Sequence, residues 1–260
     1  LWYYELDRLY EWAQAPVEKR LAIIGKNRES VRKRDDAAAR EVQLRLLAGQ
    51  DDIAIDIMKQ RHFHIWEGGA RFSVTDAWTD ANIHQGHKKM AAKDYAGALA
   101  SYKAAIEYPE NLETTRSYRG SRAPEAQYWQ GKALAALGRK DEAATAYKES
   151  AAALIGTEDN PRATVDSGAV LLYFHGMSLV ELGEKARARQ VFESLVKAGQ
   201  DAMTRTPRRD FFAKFGEAQS RQLRQAMAHY VTGLGQLGLG QTAAAKASFT
   251  KAVELNRYLT

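Results

Sequence analysis

The chain contains no cysteine. A disulfide scaffold, a thiolate zinc site and a cysteine nucleophile are therefore excluded. Compartment stays open, because a cysteine-free chain tolerates oxidising and reducing surroundings alike. Proline is scarce, five in 260 residues, while Ala, Leu, Glu, Lys, Arg and Gln are plentiful, a balance that favours helices. No apolar run approaches the roughly 18 residues that suggest a membrane-spanning helix. A Gly-rich phosphate loop, a Gly-x-Ser-x-Gly elbow and a His-Glu-x-x-His pair are also missing, so no catalytic residue and no cofactor are assigned. The excess of one charge sign is small. Thirty-eight Lys+Arg stand against 32 Asp+Glu, a net +6 that hints at an acidic partner without naming one.

What is present is ordinary for a folded chain: 27% charged and 45% apolar residues exclude disorder as the main state. Residue 1 is Leu, and Trp2 to Tyr10 already reads as a helix, with no basic-then-apolar leader before it. The expectation is a fragment of a longer protein or a processed chain, soluble, in cytoplasm or periplasm.

Self-similarity is the dominant signal. A template of Gly, six residues, Gly, four residues, Ala, three residues, aromatic fits Gly131, Gly138, Ala143 and Tyr147. It fits Gly176, Gly183, Ala188 and Phe192, and again Gly233, Gly240, Ala245 and Phe249. Gly86, Lys93, Ala98 and Tyr102 form an earlier copy with one departure. Each copy reads as two helices. The second glycine ends the first helix in the left-handed conformation. The first glycine sits inside that helix, where it costs about 1 kcal/mol against alanine. Its recurrence predicts a position where the partner helix crosses closely.

This spacing resembles the tetratricopeptide repeat family. The family's Trp near the start of the first helix is replaced by Asn82, Gln127, Leu172 and His229, and its closing Pro is mostly absent. The resemblance implies an all-α, right-handed superhelical solenoid of antiparallel helix hairpins. The copies are spaced by 45, 45 and 57 residues, against about 34 for a plain repeat. Insertions are therefore expected at Glu107–Pro124, Gly156–Asp166 and Gly199–Arg221. Upstream, Leu6, Leu9, Tyr10 and Ala13 suggest an apolar face, and Pro16 opens a second helix. Lys33–Leu47 and Asp51–Gln60 read as a hairpin, with Gly49 at the turn and Ala54 as the small contact. The expected division is 1–76, degenerate hairpins ending in a Trp-Glu-Gly-Gly connection, followed without a break by four repeats over 77–260.

Three runs carry a second resemblance: Arg61 to Gly69, Glu107 to Leu112 and Asp210 to Gly216. In them the chain is similar to the C-terminal repeat region of large bacterial proteins of unassigned function, which carry an upstream sugar-mutarotase-like β-sandwich. That implies carbohydrate-related work by the parent protein and transfers no catalytic residue.

Two functional readings follow. The first is a non-enzymatic scaffold for a protein, a peptide or an upstream domain of the same chain. In the resembling family the first-helix faces line a concave groove. Those positions here are Ile83, His87, Tyr128, Lys132, Tyr173, Met177, Tyr230 and Leu234. The three tyrosines either form a ladder of exposed hydroxyls or pack between repeats. The second reading is an accessory part of a carbohydrate-active protein, with His64, Trp66 and Glu67 reaching a sugar site. Trp66 offers a stacking face and Glu67 a hydroxyl-binding or proton-transferring carboxylate. The competing role for the pair is a buried Trp and a helix-capping Glu.

Four of six histidines, His62, His64, His84 and His87, fall close together, and the last two share a helix face. A zinc site needs three or four converging ligands. Spacing does not bring these pairs together, and no metal site is assigned. Residues 199–224 hold six basic against three acidic residues, with Phe211, Phe212 and Phe215. Without an RNA-binding motif this reads as an ordered cap, and nucleic acid is not expected as a partner. Asp35-Asp36 and Asp51-Asp52 stand at predicted helix starts, where they favour the helix dipole.

Overall fold

The computed structural model describes residues 2–64, 74–113, 122–152, 168–204 and 217–257, with side chains of 217–220 excluded. Among these the chain is all-α. The helices are α1 (Trp2–Trp12), α2 (Val17–Lys26), α3 (Arg28–Val31), α4 (Asp35–Leu47), α5 (Asp51–Gln60), α6 (Val74–Ala91) and α7 (Tyr95–Ala104). After a 3₁₀ turn at Glu110–Leu112 come α8 (Ala123–Ala136), α9 (Lys140–Ala152), α10 (Ala169–Glu181), α11 (Lys185–Thr204), α12 (Glu217–Gly238) and α13 (Thr242–Leu255). This is the helix-hairpin repeat architecture that the template predicts.

The turn of each hairpin is made the same way. Gly183 adopts φ +83°, and its N–H and that of Glu184 bond back to Val180 O and Leu179 O at 3.0 and 2.8 Å. This closes the helix with a left-handed cap. Gly49, Gly138 and Gly240 repeat the pattern, and Lys93 adopts it with φ 62° where the template departs from glycine. The α4–α5 hairpin is thus a further copy. Val42 and Met58, both fully buried, stand where later copies carry glycine and an aromatic.

The first glycine explains the pairing of helices. A Cβ built on Gly86 would lie 2.2 Å from the Tyr102 ring. At Gly176 the Phe192 ring would be 2.5 Å away, and at Gly233 the Phe249 ring 2.6 Å. Each ring occupies the space a side chain would fill. The alanine five residues after the turn is buried in every copy: Ala54, Ala98, Ala143, Ala188 and Ala245.

The helices gather into two compact units, 1–143 and 144–260, with the division inside α9. In the first, successive helices from α4 to α8 pack on one another, and first helices also meet, α4 on α6 and α6 on α8. In the second, α10, α11, α12 and α13 do the same, with α10 on α12. One core of the first unit joins Val42, Ala54, Met58 and Phe63 to Ala77, Trp78 and Leu112, drawing on both sides of position 76. In the second unit Phe192, Leu195, Val231 and Leu234 form the centre. The described ends of the third insertion are helical. Residues 199–204 extend α11, and Gly199 lets Ala228 O and Thr232 approach, so α11 and α12 run longer than ordinary repeat helices.

The first helix, α1, reverses the expected amphipathic face. Leu9 is 58% exposed, whereas Asp7 is buried. The reason is charge. Arg20, itself buried, donates to both Asp7 oxygens at 2.7 and 2.8 Å. Arg40 on α4 donates to Asp7 Oδ2 and to Glu11 at 2.8 Å each. The carboxylates of α1 thereby fix α1 to α2 and α4. Nearby, the fully buried Glu41 is ringed by Arg28, Arg32 and Arg45.

Two outcomes are expected in urea unfolding of the whole chain. Gly233→Ala lowers stability by up to about 2 kcal/mol, because overpacking of about 1–3 kcal/mol is set against the roughly 1 kcal/mol that alanine gains in helix propensity. Phe249→Leu in the same chain restores part of the loss, whereas independent sites would simply add. Asp7→Ala removes the buried carboxylate that Arg20 and Arg40 share, although Glu11 remains beside both, and costs about 3 kcal/mol. A change below about 0.5 kcal/mol, ordinary for a surface site, would contradict this network.

Candidate functional site

The connection leaving α5 is extended at Arg61 (φ −124°, ψ 136°). In extended backbone alternate side chains face opposite ways. Phe63 points into the core and is buried, while His62 and His64 face out. Their rings lie 4.7 Å apart, centroid to centroid.

This connection is clasped to the turn that follows α7. Phe63 N–H donates to Asn111 O at 2.8 Å. The Asn111 side-chain amide donates back to Met58 O and Arg61 O, both at 2.6 Å. Pro109 sets up the 3₁₀ turn, and Leu112 anchors it in the same core as Phe63. Glu113 then takes the left-handed conformation (φ 45°, ψ 45°), with its N–H bonded to Glu110 O. For a residue with a β-carbon this costs about 1–2 kcal/mol. Strain of that kind gathers at functional positions. Its side chain meets His62, Nε2 to Oε1, at 2.5 Å.

His64 is held from the other side. Its Nδ1 lies 2.9 Å from Asp35 Oδ2, and its N–H donates to the same oxygen at 3.2 Å. Arg61 donates to Asp35 Oδ1 through Nε at 3.0 Å and also through Nη2, and stacks over Phe63 at 5.4 Å. Burial works to raise the Asp35 carboxyl, but the hydrogen bonds from His64 and Arg61 outweigh it and hold it below the usual carboxylate range. Asp35, expected only to serve its own helix start, ties α4 to the connection after α5. The donor atoms of His62, His64 and Glu113 all lie within 4.8 Å of one another. His64 belongs to this cluster, whereas Trp66 and Glu67 lie outside the described residues, as do Phe211, Phe212 and Phe215.

The other two clustered histidines are engaged elsewhere, His84 by the preceding hairpin and His87 by its own. His84 Nδ1 meets the buried Asp51 carboxylate at 3.0 Å, which Lys88 also reaches at 2.7 Å. His87 Nδ1 meets the Tyr102 hydroxyl at 2.8 Å and lies edge-on to Trp129 at 4.4 Å. Burial, and then the neighbouring His84, hold His87 below its ordinary value, so it is neutral at neutral pH. Glu113 carried no signal in spacing, since it stands 51 residues from His62. The nearest hint is that it directly follows the Glu107–Leu112 run.

The first-helix faces are unevenly accessible. Ile83, Tyr128 and Leu234 are buried, and Tyr128 lies edge-on to Trp129 at 5.0 Å. His87, Lys132, Tyr173, Met177 and Tyr230 are half-buried. In the second unit Tyr173 leans on Phe192 and Tyr230 on Phe249, at 6.0 and 5.9 Å. Burial pushes the Tyr173 phenol above its ordinary value.

No helix among the described residues is long and apolar enough to cross a membrane. Family models described as tetratricopeptide repeat match residues 85–156, 172–198 and 236–258. The first two segments hold complete copies of glycine, turn glycine, alanine and ring, and the third holds Gly240, Ala245 and Phe249 of the last copy. By its hairpins and by these matches, the chain carries tetratricopeptide-like repeats over these segments.

Proposed function

We propose that the chain is a non-enzymatic scaffold that binds a protein or peptide through the first-helix faces of its repeats. The observation that carries this reading is the surface of the second unit. There α10 and α12 pack side by side, and Tyr173, Met177 and Tyr230 lean on its apolar centre while remaining partly exposed. Aromatic rings seated on a rigid apolar base and reachable from outside are the side chains that dominate binding energy. In the first unit His87 and Lys132 hold the corresponding positions. Aromatic anchors of this kind suit a peptide with one or two large apolar side chains.

A second reading rests on the motif Arg61 to Gly69. Its described part, His62-Phe63-His64, is held in place by Asn111 and Asp35 rather than loose. We keep as a proposal that the following Trp66 and Glu67 serve a sugar site on an attached domain. Trp66→Ala in the parent protein would then weaken sugar binding, and unchanged binding would remove this reading.

The scaffold reading is tested with peptides selected from a displayed library against the whole chain. Tyr173→Ala and Tyr230→Ala are each expected to weaken the selected peptides by about 2 kcal/mol, close to 30-fold. Circular dichroism unchanged from wild type separates lost contact from lost fold. Peptides that bind both variants as tightly as wild type would place the binding surface elsewhere.

A further inference from the structure

We propose that His62, His64 and Glu113 form a binding site for a divalent transition-metal ion of the zinc class. Sequence spacing led to no metal assignment because the visible partners for His62 and His64 were His84 and His87. The structure supplies a different third group from a distant turn.

Four observations carry the site. First, the chemistry of the donors suits the ion: two imidazoles and one carboxylate are a set that holds zinc with an open position. Imidazole selects zinc, copper, iron or nickel over magnesium and calcium, which prefer oxygen alone. Second, the donor atoms already converge within 4.8 Å. Tetrahedral ligands around zinc sit about 3.3 Å apart, given bonds of roughly 2.0–2.1 Å. The remaining movement falls on outward-facing side chains, His62 at 52% and His64 at 70% side-chain exposure. The ion would take the place of the contact between His62 Nε2 and Glu113 Oε1.

Third, His64 is oriented as a metal ligand is. Its Nδ1 is engaged by Asp35, which leaves Nε2 as the donor. A carboxylate behind a ligating histidine fixes the tautomer and raises ligand basicity. Asp35 is itself held by Arg61. Fourth, the backbone on both sides is fixed without the ion. The Phe63–Asn111 bond, the two Asn111 amide bonds and the left-handed turn at Glu113 bring the segments together in advance. Such support keeps a site from being too loose to bind.

Three protein ligands leave a fourth tetrahedral position for water or an incoming group. The bound ion would join the connection after α5 to the turn after α7, and so lock two neighbouring hairpins.

The test uses the whole chain, stripped with chelator and titrated with Zn²⁺ in a calorimeter. One saturable site per chain is expected, together with a rise in melting temperature that grows with free Zn²⁺. Co²⁺ in its place should give the intense visible absorption of a four-coordinate ion. His62→Ala and Glu113→Gln should abolish saturable binding, while His84→Ala leaves it intact. Asp35→Asn should weaken it by about 10–100-fold and keep the cobalt spectrum, the signature of a positioning residue rather than a ligand. Mg²⁺ should not compete. The proposal is overturned if the wild type shows no saturable site, or if His62→Ala and Glu113→Gln, folded by circular dichroism, bind Zn²⁺ unchanged.

Discussion

Everything in this chain depends on how closely two helices of a hairpin approach. A glycine on the first helix opens a space, and a ring from the second helix fills it, within 2.6 Å of where a β-carbon would stand. The contact sets the separation of the helices, and the left-handed turn sets their hand and angle. Together they leave the first helices of neighbouring hairpins within reach of each other, α4 on α6, α6 on α8 and α10 on α12. The upstream hairpin shows that volume rather than glycine itself is the constraint. There Val42 faces the slimmer, adaptable Met58, and both remain fully buried.

Charge joins what the apolar contacts set side by side. Asp51 opens α5 and reaches His84 and Lys88 on α6. Lys88 also donates to Gly49 O at the preceding turn. Arg122 bonds Asp80 on α6 at 2.6 Å and Glu125 on α8 at 3.0 Å through Nε. At the amino terminus Asp7, Arg20 and Arg40 do the same work inside the protein. Buried pairs of this kind add little net stability but penalise any arrangement that leaves one partner alone.

The hairpins from Gly86 onward were legible because their constraint is local and repeats. Glycine, turn glycine, alanine and ring recur at fixed spacing, and Gly49 with Ala54 extended the reading upstream. The face of α1 was misread because a buried carboxylate looks polar in sequence, whereas the opening of α2 at Pro16 was read correctly. Only Arg20 and Arg40, distant along the chain, make Asp7 an interior residue. The candidate cluster was half legible. His62 and His64 stand out by type and proximity, and Phe63 between them fits an extended strand with one inward side chain. Glu113 could not be found from spacing, since its approach is set by Asn111 and by a left-handed turn at a residue that rarely adopts one. The tyrosines of the first helices were left between two roles, and the structure divides them, with Tyr128 buried and Tyr173 and Tyr230 half-buried.

The clasp between the connection after α5 and the turn after α7 is the point where packing, strain and the candidate donors meet. Its backbone bond from Phe63 N–H to Asn111 O is also directly observable. Amide hydrogen exchange on the whole chain, read residue by residue, measures it without any substitution. The Phe63 amide, though it lies outside any helix, should exchange as slowly as the amides in the middle of α5 and α7. Exchange of Phe63 at the rate of an unfolded chain, with α5 and α7 still protected, would contradict the clasp.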